Sequence, residues 1–157
     1  MAKTMIAYYS WSGITAAVVR QVQRVIGGEL VELSVAPGTF SADMNQTSEI
    51  AQRQIATDTL PELTNPLPPL DAKTIVVLAG PVWSDAPSTP VRQFLRQVAG
   101  SSATFAPLYT DAGSGKHYEE SLRALAPNLA FVPGLEVTGS AADATIQSWW
   151  DCVLAAK

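Results

Sequence analysis

The run Ile75-Val76-Val77-Leu78-Ala79-Gly80, closed by Pro81, constrains the fold more than any other stretch of this chain. Six successive nonpolar residues without polar alternation read as a strand buried on both faces. That environment is found in parallel sheets covered by helices on either side. The rest of the chain must then supply neighbouring strands and two helical layers. Thr4 to Tyr9 is a second short apolar run, ending in a Ser/Gly cluster. Behind it Ile14, Val18, Val22, Val25 and Ile26 recur at helical spacing until Gly27-Gly28 stops the pattern. Glu29 to Val35 reads as another strand, so the first 35 residues form a βαβ unit with a right-handed crossover.

Five of the 11 prolines fall in residues 36–72 (Pro37, Pro61, Pro66, Pro68, Pro69), around a helical stretch near Ser48 to Thr59. This segment reads as a second crossover with a long loop, because a domain boundary here would strand Ile75 to Ala79 without partners. Beyond Pro81, Ser88 or Thr89 suits an N-cap and Pro90 the first turn of a helix whose apolar face is Val91, Phe94, Leu95 and Val98. Thr104 to Thr110 is a fourth strand. A helix carrying Tyr118, Leu122 and Leu125 follows, then a fifth strand, Leu129 to Val137, broken by Pro133-Gly134. The last helix carries Ile146, Trp149, Trp150, Val153 and Leu154, with Cys152 expected on its apolar face as a buried thiol. Strands alternating with helices predict an α/β protein: a single three-layer α/β/α domain over residues 1–157 with a five-stranded parallel sheet.

Composition narrows the function. At 157 residues and 47% hydrophobic content the chain can build a core, and 15% charged residues with a net charge of −4 argue against disorder and against nucleic-acid binding. Each half, 1–80 and 81–157, carries 5 basic and 7 acidic side chains, so charge singles out no partner. A lone cysteine excludes an internal disulfide framework. The longest aliphatic run is far below the roughly 18–20 residues of a membrane span, and Met5-Ile6-Ala7 is too brief for an export signal. A cytoplasmic protein is expected.

In open parallel sheets, ligands bind beyond the carboxyl ends of the strands, where strand order reverses. Three loops leaving such ends are rich in small and functional residues: Ser10-Trp11-Ser12-Gly13-Ile14-Thr15, Pro81-Val82-Trp83-Ser84-Asp85-Ala86-Pro87 and Asp111-Ala112-Gly113-Ser114-Gly115. The first places three hydroxyls and a glycine just before a helix. Orphan N–H groups and the positive end of the helix dipole can hold a phosphate there without Lys or Arg, although the same residues also suit a plain N-cap. Trp83 is either a lid on the core or a stacking platform for a flat ligand. Gly113 and Gly115 permit close backbone approach, or simply form a flexible turn. No G-x-x-x-x-G-K-[ST], G-x-G-x-x-G or G-x-S-x-G occurs, and the only histidine, His117, reads as a solvated or capping residue.

Together these segments resemble the flavodoxin-like family in its small single-domain form. Ile6-Ala7-Tyr8-Tyr9-Ser10-Trp11-Ser12-Gly13-x-Thr15 is similar to that family's first strand and FMN-phosphate loop. Pro81-x-Trp83 with Pro90-Val91-Arg92-x-Phe94-Leu95 is similar to its second flavin loop and third helix, and Gly113-Ser114-Gly115 to the next loop. The resemblance implies strand order 2-1-3-4-5 with FMN at the switch between the first and third strands. Ser10, Trp11, Ser12, Gly13, Ile14 and Thr15 would surround the phosphate. Pro81, Val82, Trp83, Ser84, Asp85 and Ala86 would line the ring, with Trp83 against it. Asp111, Ala112, Gly113 and Gly115 would meet its polar edge.

Three positions depart from the family pattern. Ile14 stands where asparagine is usual, Ser84-Asp85 where Trp-Gly is common, and Asp111 near the pyrimidine side. Two carboxylates beside a reduced, anionic ring would cost about 1 kcal/mol or more per close pair. Weaker stabilisation of the half-reduced cofactor and weaker FMN binding are the expectations. The resemblance implies electron transfer with redox partner proteins or a small-molecule electron acceptor, by a monomer or homodimer. The alternatives are an FMN-dependent NAD(P)H:quinone-type oxidoreductase, and a binding protein of the same fold that has lost the flavin.

Overall fold

The computed structural model describes residues 3–157. In chain order its elements are β1 (Lys3–Tyr8), α1 (Ile14–Ile26), β2 (Glu29–Glu32), α2 (Met44–Ala56), β3 (Thr74–Trp83), β4 (Ala86–Pro87), α3 (Thr89–Gln97), β5 (Thr104–Asp111), α4 (Tyr118–Leu125), β6 (Ala130–Phe131), β7 (Leu135–Thr138) and α5 (Asp143–Ala156). The sheet runs β2-β1-β3-β5-β6, with β4 paired to β3 and β7 to β5. Every pairing is parallel except the short β3–β4 return. The sheet thus has seven strands instead of five. The added ones are the two-residue β4 and the division of the last strand into β6 and β7. With those two taken as one interrupted strand, the parallel order is the expected 2-1-3-4-5.

The apolar run behaves as its composition demands. Ile75, Val77 and Ala79 face one helical layer and Val76 and Leu78 the other, all fully buried. On the first side Val18, Val19 and Val22 of α1 meet Ile146, Trp149, Trp150 and Val153 of α5. On the second, Val91, Phe94 and Leu95 of α3 meet Tyr118 and Leu122 of α4. Both tryptophans of α5 are therefore core residues. Cys152 is not: it is exposed, and so is Leu154, because the stripe 146, 149, 150, 153 turns both away from the sheet. The expected buried thiol is wrong by helical phase.

Two other boundaries differ from expectation for identifiable reasons. α2 begins at Met44 and not near Ser48, because the Asp43 side chain accepts the Gln46 N–H (3.0 Å) and caps the helix four residues early. β2 ends at Glu32 and not at Val35. Past it, Ser34 bonds to Asn65 and Thr64, and Val35 makes an isolated bridge to Leu63. The proline-rich stretch thereby lies along that border, with Leu63, Leu67 and Leu70 against the core.

The β6–β7 break has a similar local cause. Pro133 lacks an N–H, and the Gly134 N–H leaves the ladder for Glu119 Oε1 (2.8 Å). Glu119 Oε2 in turn accepts the Tyr109 hydroxyl at 2.7 Å, and the Tyr109 ring stacks on Tyr118. No helix among the described residues is long and apolar enough to cross a membrane.

The close approach of α3 to β3 depends on Gly80. A Cβ there would lie 2.8 Å from Val91 Cγ2, and Val91 is fully buried with no freedom to retreat. Gly80→Ala is expected to cost about 1–3 kcal/mol, read as a lower urea midpoint at unchanged slope. An unchanged midpoint would mean that α3 yields without cost.

Candidate functional site

The parallel register sets the carboxyl ends of β1, β3 and β5 side by side, and all three predicted loops emerge at that edge. In the first, the chain leaves β1 through buried Tyr9 and enters α1 at Gly13, whose φ of +94° a glycine adopts freely. Ser10 Oγ accepts the N–H groups of Gly13 (3.2 Å) and Ala16 (3.1 Å), curling the loop around its own hydroxyl. Ser10 is thus the internal cap, with its hydroxyl hydrogen still free to donate outward. Among the described residues the N–H groups of Ile14 and Thr15 find no protein acceptor. Ser12, Gly13 and Ile14 are exposed, and a Cβ placed on Gly13 would meet nothing. The result is an open cradle of uncharged donors at a helix N-terminus.

Thr15 lends that cradle its N–H but not its hydroxyl. It is buried, and its hydroxyl is hydrogen-bonded to that of Thr110 at 2.8 Å. One hydroxyl donates to the other, which leaves a single hydrogen for the pair. This bond ties the first turn of α1 to the end of β5, joining the first and third loops. Thr110 was not picked out from the sequence; its only signal was its place at the end of a strand.

The second loop is largely a hairpin. Pro81 pairs with Thr110, Val82 with Pro87 and Trp83 with Ala86, leaving Ser84-Asp85 as a two-residue turn. Both turn residues have positive φ, 54° and 58°, as the primed hairpin turns require. Pro81, Val82, Trp83, Ala86 and Pro87, expected as loop residues, are strand residues, and Asp111 is the last residue of β5. The Asp85 side chain leaves the turn for α4, where it accepts the His117 main-chain N–H (2.8 Å) and the ring Nδ1–H (2.5 Å). Those two contacts, the main-chain one first, hold the Asp85 carboxyl below its usual 3.8. The lone histidine is thus a latch between the second and third loops.

Trp83 combines the two roles left open above. Its indole meets Tyr9 (5.8 Å, 86°) and Phe40 (5.3 Å, 79°) edge-on, as a lid would. It also lines a cavity of about 230 Å³ with Trp11, whose indole N–H is fixed to the Ser41 carbonyl at 3.0 Å. In the third loop Asp111 Oδ1 accepts the Gly113 N–H (2.6 Å) and the Thr138 hydroxyl (3.1 Å). Asp111 Oδ2 is buried without a donor from its own loop and faces buried Gly115, beside Glu136 Oε2. A side-chain hydrogen bond with Asp111 first, then desolvation and repulsion from the same carboxylate, raise the Glu136 carboxyl above its ordinary value. Ala112 and Ser114 are exposed on the rim.

Residues 3–153 match the family model for flavodoxin. The chain belongs to the flavodoxin family. A flavoprotein of Lactobacillus acidophilus, crystallised in complex with FMN, shares 30% identity and superposes with a TM-score of 0.84, over 96% of this chain and 99% of that one. The apo form of a flavoprotein from the same organism, determined by NMR, shares 31% identity with a TM-score of 0.70, over 95% and 97%. A structure from Bacteroides eggerthii, proposed to be a flavoprotein, covers the whole of both chains with a TM-score of 0.86 at 22% identity, which speaks to the fold. No curated protein matches the chain by sequence. In this flavodoxin, the sixteen residues expected at the site all lie in the three emerging segments. Thr110, His117 and Glu136 join them through contacts across 95, 32 and 25 positions in sequence.

Two predictions follow from these locks. Thr15→Val leaves the Thr110 hydroxyl buried and unpaired, which should cost about 1–3 kcal/mol, whereas Thr15→Val combined with Thr110→Val should cost less than the sum of the singles. Additive losses in urea unfolding would count against the bond. For Asp85, a folded-state pKa below the unfolded value means its stabilisation is present above 3.8 and lost as pH falls through the lowered value. Asp85→Asn should therefore lower the urea midpoint at pH 7, with the gap to wild type closing in acid; a pH-independent gap would refute the latch.

Proposed function

We propose that this flavodoxin binds FMN across the three loops and serves in electron transfer. The observation that carries this reading is the cation-free cradle at residues 10–15, locked to the third loop through Thr15 and Thr110. Its donor set fits a phosphate monoester: free N–H groups at Ile14 and Thr15, hydroxyl hydrogens from Ser10 and Ser12, and the positive end of α1. The 30% identical relative with FMN supports the same assignment. Bound FMN would supply the electron chemistry, which no side chain of this site can provide.

The protein's own part is to hold and shape. Gly13 lets the main chain curl without a Cβ in the phosphate's way, and Ile14, where the family commonly has asparagine, contributes only its N–H. Trp83 presents an indole already braced by Tyr9 and Phe40, so little ordering remains when a flat ring meets it. The Asp85 carboxylate is engaged by His117 and so repels a reduced ring less than a free carboxylate would. Ser84 and Asp85 both hold positive φ under the His117 latch, so rotating the peptide between them means breaking that latch.

One observation favours an enzyme, an FMN-dependent NAD(P)H oxidoreductase: the cavity beside Trp83 gives a small molecule room next to the ring. Steady oxidation of NADH or NADPH by FMN-loaded protein would select it. Reduction only through a separate reductase would select the carrier. For the cofactor itself, adding FMN to the purified protein should develop the absorbance of bound flavin between about 350 and 500 nm. Gly13→Val, which forces a branched side chain to positive φ, should weaken FMN at least tenfold while leaving riboflavin, which lacks the phosphate, unchanged. Equal losses for both flavins would move the phosphate away from this loop.

A further inference from the structure

The cavity beside Trp83 has a wall that the flavin reading does not use. It lies between α2 and the β3–β4 hairpin, and its apolar lining includes Trp11, Met44, Ile55, Trp83 and Pro87. Met44 and Ile55 are 68% and 45% exposed, an unusual position for large apolar side chains at a cavity mouth. Its remaining wall includes Arg92 of α3. Trp11, Val82, Trp83 and Ser84 are shared with the expected flavin site, whereas none of residues 12–15 or 111–115 lines it.

Arg92 is half-buried, and burial lowers the pKa of its guanidinium, with Arg96 one turn along adding repulsion. Its Nε donates to the Pro87 carbonyl at 3.1 Å. No carboxylate among the described residues lies within 4 Å of it, whereas Arg96 is paired with Asp58 and Arg123 with Glu119. The other arginines without such a partner, Arg20, Arg24 and Arg53, are exposed and solvated. A guanidinium drawn out of water without a counter-ion is costly unless an anion reaches it. An apolar cavity of about 150 Å³ takes up benzene, so 230 Å³ has room for a second fused ring.

We propose that this cavity is a second ligand site for a small planar organic acid, its aromatic rings against Trp11 and Trp83 and its carboxylate on the Arg92 fork. The two indoles supply flat apolar surface, and a guanidinium pairs a carboxylate through two parallel N–H donors. The site shares Trp11 and Trp83 with the first two loops but uses none of the phosphate donors, and it does not rest on FMN binding.

The test uses the full chain, flavin-free and after incubation with excess FMN, with 2-naphthoate as probe and the neutral 2-naphthamide as its isostere, followed by calorimetry and by backbone amide NMR shifts. The acid should bind at least tenfold tighter than the amide, with shifts confined to α2, the hairpin and α3. Arg92→Gln should bring the acid down to the amide's affinity and leave the amide unchanged. Ser48→Trp, which fills the cavity from the surface of α2, should weaken both at least tenfold. The proposal is overturned if acid and amide bind alike, if Arg92→Gln keeps the preference, or if FMN displaces the acid, since the cavity would then belong to the flavin site. Should FMN itself not bind, the flavin-free titrations still decide this site while the flavin reading fails.

Discussion

The hydrogen bond between Thr15 and Thr110 organises everything at the carboxyl edge of the sheet. Sealed from water, it joins the first turn of α1 to the end of β5, across the switch where β1 sends its chain to one side and β3 to the other. Such a bond contributes little on its own, but each hydroxyl becomes expensive once its partner is gone. The donors of the first loop therefore keep a fixed distance from the third loop, whatever the exposed residues between them do. Asp85 and His117 add a second tie of a different kind, ionisable and at the surface, which fastens the hairpin to α4. A buried neutral bond and an exposed acid-dependent one thus divide the site into a part indifferent to pH and a part that responds to it.

Charge near the expected ring position is arranged with restraint. Three carboxyl groups, Asp85, Asp111 and Glu136, stand in two adjoining loops and a neighbouring strand, where an unmitigated cluster would repel any electron-rich ligand. Asp85 is occupied by the His117 imidazole, and Asp111 Oδ1 by the Gly113 N–H and the Thr138 hydroxyl. The expectation of two free carboxylates came from reading Asp85 and Asp111 without the partners that the fold brings to them.

How much of this could be read from residues alone depended on the range of the contact. β3 was legible because six apolar residues admit one environment. The hydroxyl-rich turn into α1 was legible because hydroxyls, glycine and helix start lie within six positions. β4 was not: its turn carries Ser84-Asp85 in place of the Asn-Gly that normally announces positive φ at two successive residues. Thr110, His117 and Glu136 act through partners far away in sequence, and no local pattern marks them. The α2 boundary was missed through a cap, since Asp43 precedes a helix with little apolar periodicity to confirm it. Cys152 was misplaced because one residue along a helix turns a side chain by about 100°, enough to carry it from the sheet to solvent.

The breaks along the last strand have a bearing on how copies of this protein meet. A sheet border presents a row of free amides and carbonyls on which another chain can template itself. Here Pro133 removes one donor on that side and Gly134 sends another to Glu119, while on the far side Asn65 and Thr64 claim the groups of Ser34 just past β2. Neither border offers a long uninterrupted ladder to a stranger. A second copy in a crowded solution would find little free ladder there for edge-to-edge stacking.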